Sequence, residues 1–229
     1  MTRVYAIGDI HGRLDLLERM IARVNTDIKE HGGDPLVVTL GDYIDRGPNS
    51  RGVLDRLLSN PFGGRYVALK GNHEALLESF LDDPSAGADW WRLGGADTLR
   101  SFGVDIKPRM TRRAFARASV QLREALSQQH TGFLGSLKTS LPVGRYFFCH
   151  AGVKPGVALE SQSDEDLLWI RDEFLGSQAD FGKIVVHGHT PTEKPEVLAN
   201  RINIDTGAYF SERLTCAVLD ENGHRFIST

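Results

Sequence analysis

The chain has 229 residues, of which 41% are hydrophobic and 25% are charged, a composition that is ordinary for a globular protein. Its 27 basic and 30 acidic residues leave a formal net charge of −3, which argues against nucleic acid or an anionic membrane surface as a partner. Two cysteines, Cys149 and Cys216, exclude a disulfide framework and fit a reducing compartment. Because no signal-peptide pattern or membrane-length apolar run occurs, we expect a cytoplasmic protein with one domain over residues 1–229.

Short apolar strands alternate with amphipathic helices in the first third of the chain. The predicted strands cover residues 4–7, 36–40 and 66–69, and each is followed by a polar turn. Apolar residues recur at helical spacing over residues 14–28, and Ser50 is predicted to cap the next helix. This repetition of strand, turn and helix predicts an α/β fold.

The middle of the chain has a different character. Residues 82–137 are predicted to form a mostly helical insertion, because the segment has helical patterning and no clear strand. Its Trp90 and Trp91 are interpreted as core residues, with a position at the rim of a cleft as the alternative. Strands resume at residues 146–149, 184–186, 202–204, 216–219 and 225–227, and the close spacing of the last three predicts that they pair antiparallel.

Six oxygen and nitrogen donors follow five successive predicted strands: Asp9, His11, Asp42, Asn72, His150 and His189. Loops at the carboxyl ends of strands converge on one crevice of an α/β sheet, so we expect these side chains to lie together. Each residue alone is more often a turn residue, a helix cap or an ordinary polar residue. Their joint pattern predicts a site for divalent metals such as manganese, iron or zinc, and the absence of cysteine ligands argues against a structural zinc site.

Nucleophilic catalysis has less support from the sequence. No Gly-x-Ser-x-Gly motif is present, and Cys149 lacks the electropositive loop that a reactive thiolate needs, so it is interpreted as a small core residue. Three other histidines also receive structural interpretations. His31 is placed at a helix end, His130 is a capping or packing residue, and His187 supports the residues beside it.

The sequence blocks that carry the metal-type donors resemble the signature motifs of the phosphoprotein phosphatase family of metallophosphoesterases. In chain order they are Gly-Asp-Ile-His-Gly at 8–12, Gly-Asp-Tyr-Ile-Asp-Arg-Gly at 41–47, Gly-Asn-His-Glu at 71–74, Cys-His-Ala-Gly at 149–152 and Gly-His-Thr at 188–190. Trp-Ile-Arg at 169–171 and Ile-Asp-Thr-Gly-Ala at 204–208 are similar to two further family segments. The compact length resembles the bacterial and phage-type serine/threonine phosphatases. The resemblance implies a β-sandwich flanked by helices, with the metal site at one edge of the sheets.

The resemblance also implies a centre of two divalent metal ions, with manganese favoured over iron and zinc. The first metal would be held by Asp9, His11 and Asp42, and the second by Asp42, Asn72, His150 and His189. Asp42 would therefore bridge the two ions. In this family a hydroxide shared by the metals attacks phosphorus directly, without a covalent phosphoenzyme.

Four further residues would take part in catalysis by the same resemblance. His73 would protonate the departing alkoxide, and Asp45 would hydrogen-bond to His73 and raise its pKa. Arg46 and Arg171 would bind phosphate oxygens with their planar guanidinium groups. The motif around Arg171 is short, and a surface salt bridge is the alternative role for that residue.

Hydrolysis of phosphoserine and phosphothreonine in proteins or peptides is the leading functional prediction. It is favoured by Asp-Arg-Gly at 45–47 and by Pro191, where many phosphodiesterase relatives carry a second histidine. A symmetrical dinucleoside polyphosphate hydrolase would use the same site, and some compact relatives also hydrolyse phosphotyrosine. An inactive phosphoprotein-binding module, a protein of another class, would have lost a metal ligand or the acid, and none is lost. The sequence gives no prediction of the oligomeric state.

Overall fold

The computed structural model describes residues 2–107, 109–221 and 223–229. Its strands are β1 (Val4–Ile7), β2 (Leu36–Thr39), β3 (Arg65–Ala68), β4 (Ser140–Val143), β5 (Tyr146–Cys149), β6 (Ile184–His187), β7 (Glu196–Val197), β8 (Arg201–Asn203), β9 (Thr215–Asp220) and β10 (Gly223–Ser228). They form two five-stranded sheets, the first in the order β10-β9-β1-β2-β3 and the second in the order β4-β5-β6-β8-β7.

Each sheet contains three parallel strands. In the first sheet β1, β2 and β3 are parallel, and Val4 pairs with Leu36. In the second sheet β5, β6 and β8 are parallel, and the outer strands β4 and β7 run antiparallel to their neighbours. Parallel strands end on the same side of a sheet, so the loops that follow them are brought to a common edge.

Helices connect the strands and cover the outer faces of the sheets. They are α1 (Leu14–His31), α2 (Ser50–Leu57), α3 (Asn72–Asp82), α4 (Gly87–Trp90), α5 (Ala96–Ser101), α6 (Arg112–Ala125), α7 (Gln128–Ser136), α8 (Asp164–Trp169), α9 (Asp172–Leu175) and α10 (Ala208–Ser211). The described residues between 82 and 137 form α4 to α7 and contain no strand. Within the described part of the chain, no helix is both long enough and apolar enough to cross a membrane.

The alternation of side chains along β1 shows why the sheets pack as a sandwich. Val4 and Ala6 belong to an apolar cluster between the sheets, together with Phe148 of β5 and Val186 of β6. The intervening Tyr5 and Ile7 point to the opposite face, into the cluster formed with the helices. Successive side chains of a strand face opposite sides, so one strand contributes to two cores. The β-sandwich flanked by helices, which the resemblance implied, is confirmed.

The prediction that the last three strands pair antiparallel was wrong for one of them. β9 and β10 do form an antiparallel hairpin, but β8 lies in the other sheet and runs parallel to β6. Ile202 of β8 is buried between the sheets, and the chain crosses from one sheet to the other before β9 begins. Proximity in sequence therefore did not correspond to pairing in space.

The prediction that Ser50 caps a helix was also wrong. The cap of α2 is Asn49, whose side-chain oxygen accepts a hydrogen bond from the backbone nitrogen of Gly52 at 2.9 Å. Ser50 is the first residue of the helix, and its hydroxyl accepts a hydrogen bond from the backbone nitrogen of Asp45 at 3.0 Å. Asparagine and serine are equally good caps, so the local sequence did not distinguish them.

Cys149 and Cys216 are free and completely buried. Burial raises the pKa of both thiols far above its ordinary value, because the thiolate would lose its hydration. The interpretation of Cys149 as a small core residue is confirmed.

Asp27, a partly buried residue of α1, connects that helix to the first sheet. The Asp27 carboxylate accepts hydrogen bonds from the hydroxyl of Tyr5 and from the guanidinium of Arg225, both at 2.6 Å. Partial burial would raise the pKa of Asp27, but these two hydrogen bonds outweigh it and lower the pKa.

Asp27→Asn is expected to lower the free energy of unfolding at pH 7 by about 1 kcal/mol. Because the pKa of Asp27 is lower in the folded state, its contribution is present above the unfolded pKa of about 4 and is lost as the pH falls through the folded value. Urea unfolding at pH 7 and pH 3 should show that the difference in free energy of unfolding between variant and wild type is smaller at pH 3. The control is Asp82→Asn, since the Asp82 side chain is 89% exposed; a difference independent of pH would contradict the assignment.

Candidate active site

The six predicted metal-type donors meet at the edge where the parallel strands of both sheets end. Asp9 and His11 follow β1, Asp42 follows β2, Asn72 begins α3 after β3, His150 follows β5 and His189 follows β6. All six are buried, with no more than 6% of any residue exposed. The six side chains therefore lie at one edge, as their positions after the strands predicted.

Two groups of potential metal ligands lie within this edge, and both contain Asp42. His11, Asp42 and His73 form one group, and Asp42, His150 and His189 form the other, with the ligand atoms of each group within 4.8 Å of one another. Oδ2 of Asp42 lies 3.3 Å from Nε2 of His11, and Oδ1 lies 3.4 Å from Nε2 of His150. One carboxylate thus offers an oxygen to each group.

The tautomers of two imidazoles are fixed by backbone carbonyls. Nδ1–H of His11 donates to the carbonyl of Ile44 at 2.9 Å, and Nδ1–H of His150 donates to the carbonyl of Leu40 at 2.9 Å. The lone pair on each Nε2 then points toward Asp42. Such an arrangement orients an imidazole for metal binding.

Several acceptor atoms in the second group face one another. Oδ1 of Asn72 lies 2.9 Å from Nε2 of His150 and 2.9 Å from Nδ1 of His189. Oδ1 of Asp9 is buried without a described hydrogen-bond partner. Buried lone pairs without donors are costly, and a divalent cation is the partner that suits this set of oxygen and nitrogen atoms.

The charges at the site also favour cation binding. Burial lowers the pKa of His11 to about 3 and lowers that of His150, so both imidazoles are neutral, as metal ligation requires. Burial would raise the pKa of Asp42, but the facing imidazoles, among them His73 with its raised pKa, outweigh it and lower the pKa. Burial and the neighbouring carboxylates of Asp205 and Asp42 raise the pKa of Asp9. A cation among these carboxylates would relieve their repulsion.

Asp9 belongs to neither of the two ligand groups by distance. Its Oδ2 accepts a hydrogen bond from the backbone nitrogen of His189 at 3.0 Å. A Cβ atom on Gly188 would lie 2.1 Å from Oδ1 of Asp9, so only glycine fits there. This contact places Asp9 between the two sheets, beside the second group.

His73 and Asp45 form a buried hydrogen-bonded pair beside the first group. Nδ1–H of His73 donates to Oδ2 of Asp45 at 2.7 Å, and Nε2 lies 3.8 Å from Oδ2 of Asp42. Burial lowers the pKa of His73, but the charges of Asp42 and Asp45 outweigh this effect, so the pKa is raised overall. The imidazole can therefore hold a proton on Nε2, the nitrogen that faces the site.

Asp45 has two further partners that the sequence did not indicate. The indole Nε1–H of Trp90 donates to Oδ2 at 2.7 Å, and the hydroxyl of Thr98 donates to Oδ1 at 2.5 Å. Trp90 is 1% exposed, which agrees with its interpretation as a core residue. Its indole nitrogen nevertheless contacts a residue of the candidate site, Asp45. Trp91, by comparison, is half-buried and packs against Phe115.

Two more carboxylates belong to the surroundings of the site. Glu74 accepts hydrogen bonds from the backbone nitrogens of Asp42, Tyr43 and Gly71 at 2.8–2.9 Å, and so holds the loop that carries Asp42. Asp205 is 3% exposed, and burial raises its pKa to about 6. Asp205 also follows a strand end, that of β8, so the rule that found the six donors could have found it.

The two arginines differ in how they are held. Arg46 is half-buried, and its guanidinium lies 4.7 Å above the ring of Tyr209, a residue that also packs edge-on against His11. Arg171 is exposed. Burial lowers the pKa of His150 and His189, and the positive charge of Arg171 adds to that effect. No ion pair of Arg171 occurs among the described residues, so the alternative of a surface salt bridge has no support there.

Backbone strain is concentrated at this edge. Seven described residues other than glycine have a positive φ, and five of them are His11, Asp42, Asp45, Arg46 and His189. Such a conformation costs roughly 1–2 kcal/mol for a residue with a Cβ, and it persists where surrounding contacts enforce it. The tight turns therefore hold the functional side chains in fixed directions.

His31, His130 and His187 have the structural places that were expected. His31 is the last residue of α1. His130 forms a reciprocal cap with Ser127 at the start of α7, and its Nε2 lies 2.7 Å from Oδ1 of Asp55. His187 is buried in β6, where it packs against Phe174 and lies 3.5 Å from Nη1 of Arg201.

A sandwich of mixed sheets with imidazoles and carboxylates gathered at one edge is the architecture of a metallophosphoesterase. The chain belongs to the calcineurin-like phosphoesterase family, whose model matches residues 2–228. The resemblance to the phosphoprotein phosphatases and the prediction of a phosphoric ester hydrolase are confirmed.

Relatives of the chain carry two kinds of name. It is 25% identical to the asymmetrical bis(5′-nucleosyl)-tetraphosphatase PrpE of Anoxybacillus flavithermus, over 91% of this chain and 87% of the relative. It is 27% identical to serine/threonine-protein phosphatase 2 of Escherichia coli, over 93% of this chain and 90% of the relative. A crystal structure of a protein provisionally called a diadenosine tetraphosphatase superimposes with a TM-score of 0.66 at 21% identity, covering 100% of this chain and 93% of the other. That structural likeness establishes the fold.

Proposed function

We propose that the chain hydrolyses phosphoserine and phosphothreonine esters in proteins or peptides. The observation that carries the proposal is the buried His73–Asp45 pair, at 2.7 Å, beside the ligand groups that share Asp42. A serine or threonine alkoxide is a poor leaving group and needs a proton as it departs. A nucleotide leaves as a phosphate anion and needs less protonation, so a dedicated proton donor favours an alkyl ester as substrate.

Two divalent metal ions would bind at this edge of the sheets, and we propose manganese. Asp9, His11 and Asp42 would hold one ion, and Asp42, Asn72, His150 and His189 would hold the other. When bound, such ions lower the pKa of a coordinated water and neutralise phosphate charge. The neutral imidazoles and the donor-free lone pairs described above support this assignment.

The protein's own groups then perform the remaining steps. Arg46 and Arg171 would bind and orient the phosphate oxygens, since planar guanidinium groups match two oxygens at once. His73 would donate its Nε2 proton to the leaving oxygen. Asp45 keeps the Nδ1–H of His73 in place and stabilises the protonated imidazole, while Trp90 and Thr98 hold the carboxylate of Asp45.

Trp90→Phe is expected to lower kcat for a phosphothreonine peptide by about tenfold, as is common when a residue that orients a catalytic group is lost. Phenylalanine retains most of the packing but removes the hydrogen bond to Asp45. Steady-state kinetics on the variant and on Trp91→Phe, the matched control, would measure the effect. Equal kcat for Trp90→Phe and wild type would remove this hydrogen bond from the catalytic account.

Hydrolysis of a dinucleoside polyphosphate is the second candidate, and exposed aromatic rings beside Arg46 favour it. Tyr209 is 36% exposed and Phe210 is 61% exposed, and a nucleobase can stack on such rings. The relative named above is an asymmetrical hydrolase, whereas the sequence suggested the symmetrical reaction. An inactive binding module has no comparable support, because the six donors and His73 all lie together.

The ratio of kcat/KM for a phosphothreonine peptide to that for diadenosine tetraphosphate, both with manganese, tests the proposal. We expect the peptide to be the better substrate. A clear preference for the dinucleotide would overturn the proposal in favour of the second candidate. Analysis of the nucleotide products would then distinguish symmetrical from asymmetrical cleavage.

A further inference from the structure

A groove of about 490 Å³ lies between α3 and α8, next to the candidate active site. Ala75, Leu76 and Ser79 of α3 line one side, and Asp164, Glu165 and Trp169 of α8 line the other. The wall is therefore partly apolar and partly acidic. Neither acidic residue forms an ion pair within the described residues.

The groove is continuous with the site at one end. Residues three, four and seven positions apart share a helix face, so the groove side of α3 also carries Asn72, whose side chain contacts His150 and His189. On the opposite wall the ring of Trp169 packs edge-on against His189, with 6.4 Å between ring centroids. A substrate whose phosphate lies in the site can extend along this groove.

The length and charge of the groove define what can occupy it. From Asn72 to Ser79 the helix rises about 10 Å, which an extended peptide covers in about three residues. Asp164 and Glu165 lie in the first turn of α8, the turn farthest along that helix from Trp169. Two exposed carboxylates attract a lysine or arginine side chain and repel a polyphosphate chain.

We propose that this groove binds the residues beside the phosphorylated residue of a protein substrate, and that it selects a lysine or arginine about three positions away. The apolar wall formed by Leu76 and Trp169 accepts an apolar side chain between the two. The inference rests on the proposed function, since it requires a phosphopeptide as substrate.

A set of phosphothreonine peptides tests the groove. The peptides are made in pairs that differ at one position, which carries lysine in one peptide and glutamate in the other. That position lies two to four residues before or after the phosphothreonine. Each pair gives a ratio of kcat/KM for lysine over glutamate, which does not depend on the fraction of active enzyme. We expect wild type to prefer lysine by about three- to tenfold on one side of the phosphothreonine, the size of one or two exposed charge interactions.

Three variants locate the origin of that preference. The double variant Asp164→Asn/Glu165→Gln is expected to bring the ratio close to one, and Ser79→Lys should bring it below one. The control is Asp172→Asn/Glu173→Gln, which makes the same charge change on exposed residues of α9 that do not line the groove. It should keep the wild-type ratio.

The outcomes separate the groove from the proposed function. Peptide hydrolysis without a preference for lysine, or a preference that the α8 double variant and the α9 control alter equally, would overturn the groove proposal alone. An enzyme that hydrolyses p-nitrophenyl phosphate but none of the peptides would overturn the proposed function, and the groove proposal with it. A preference that only the groove variants alter would support both.

Discussion

Asp42→Asn is expected to lower kcat by on the order of 1000-fold, because it removes charge from both ligand groups at once. The carboxylate offers Oδ2 to the group with His11 and Oδ1 to the group with His150, at 3.3 and 3.4 Å. An asparagine has one carbonyl oxygen and no negative charge, so it can serve one group at most. The measurement is kcat for a phosphothreonine peptide, together with the metal content of the purified variant by mass spectrometry.

Metal content should fall along with activity in the Asp42→Asn variant. Asp34→Asn is a suitable control, because the Asp34 side chain is 76% exposed and pairs with Arg65 at the surface. The control should keep both the wild-type activity and the wild-type metal content. Full activity or full metal content in Asp42→Asn would contradict the role of Asp42 as the shared ligand.

His73→Asn is expected to lower kcat for a phosphothreonine peptide by about 100- to 10,000-fold, the range typical for loss of a general acid. For p-nitrophenyl phosphate the loss should be at most about tenfold, because p-nitrophenolate departs without a proton. Burial lowers the pKa of His73, but Asp42 and Asp45 raise it overall, so the imidazole can carry the proton that the departing alkoxide needs. Steady-state kinetics on the two substrates measures the difference between the two losses.

The control for His73 is another buried histidine that contacts an aspartate. His130→Asn removes the 2.7 Å contact with Asp55, which involves neither His73 nor any of the six donors, so it should affect stability and leave the ratio of the two activities unchanged. Equal losses of activity on the alkyl and aryl esters in His73→Asn would remove His73 from the role of proton donor. The bond between His73 and Asp45 would then be structural.

Much of the site was predictable because strand ends obey a simple geometric rule. Short apolar runs identified the parallel strands, and their carboxyl ends had to lie at a common edge. Asp9, Asp42 and His150 could therefore be placed together although more than a hundred residues separate the first from the last. The alternation of Val4, Tyr5, Ala6 and Ile7 likewise agrees with a strand buried on both faces.

Other features depend on contacts between residues that are distant in the sequence, and no local sequence pattern indicates such contacts. The hydrogen bond from Trp90 to Asp45 joins residues 45 positions apart, and its existence depends on how α4 packs. The pairing of β8 with β6 depends on which sheet buries Ile202, since a strand of three residues with one apolar side chain fits either sheet equally well. Strand β4 contains Pro142 and is only partly buried, and so lacked the apolar signal of a central strand.

Titration of metal-free protein with manganese tests the central assignment, a two-metal site that shares Asp42, most directly. Bound metal would be counted by equilibrium dialysis, and hydrolysis of a phosphothreonine peptide would be followed in the same samples. We predict two manganese ions per chain, with activity appearing as the second ion binds. Full activity with one ion per chain, or in the presence of excess chelator, would contradict the assignment.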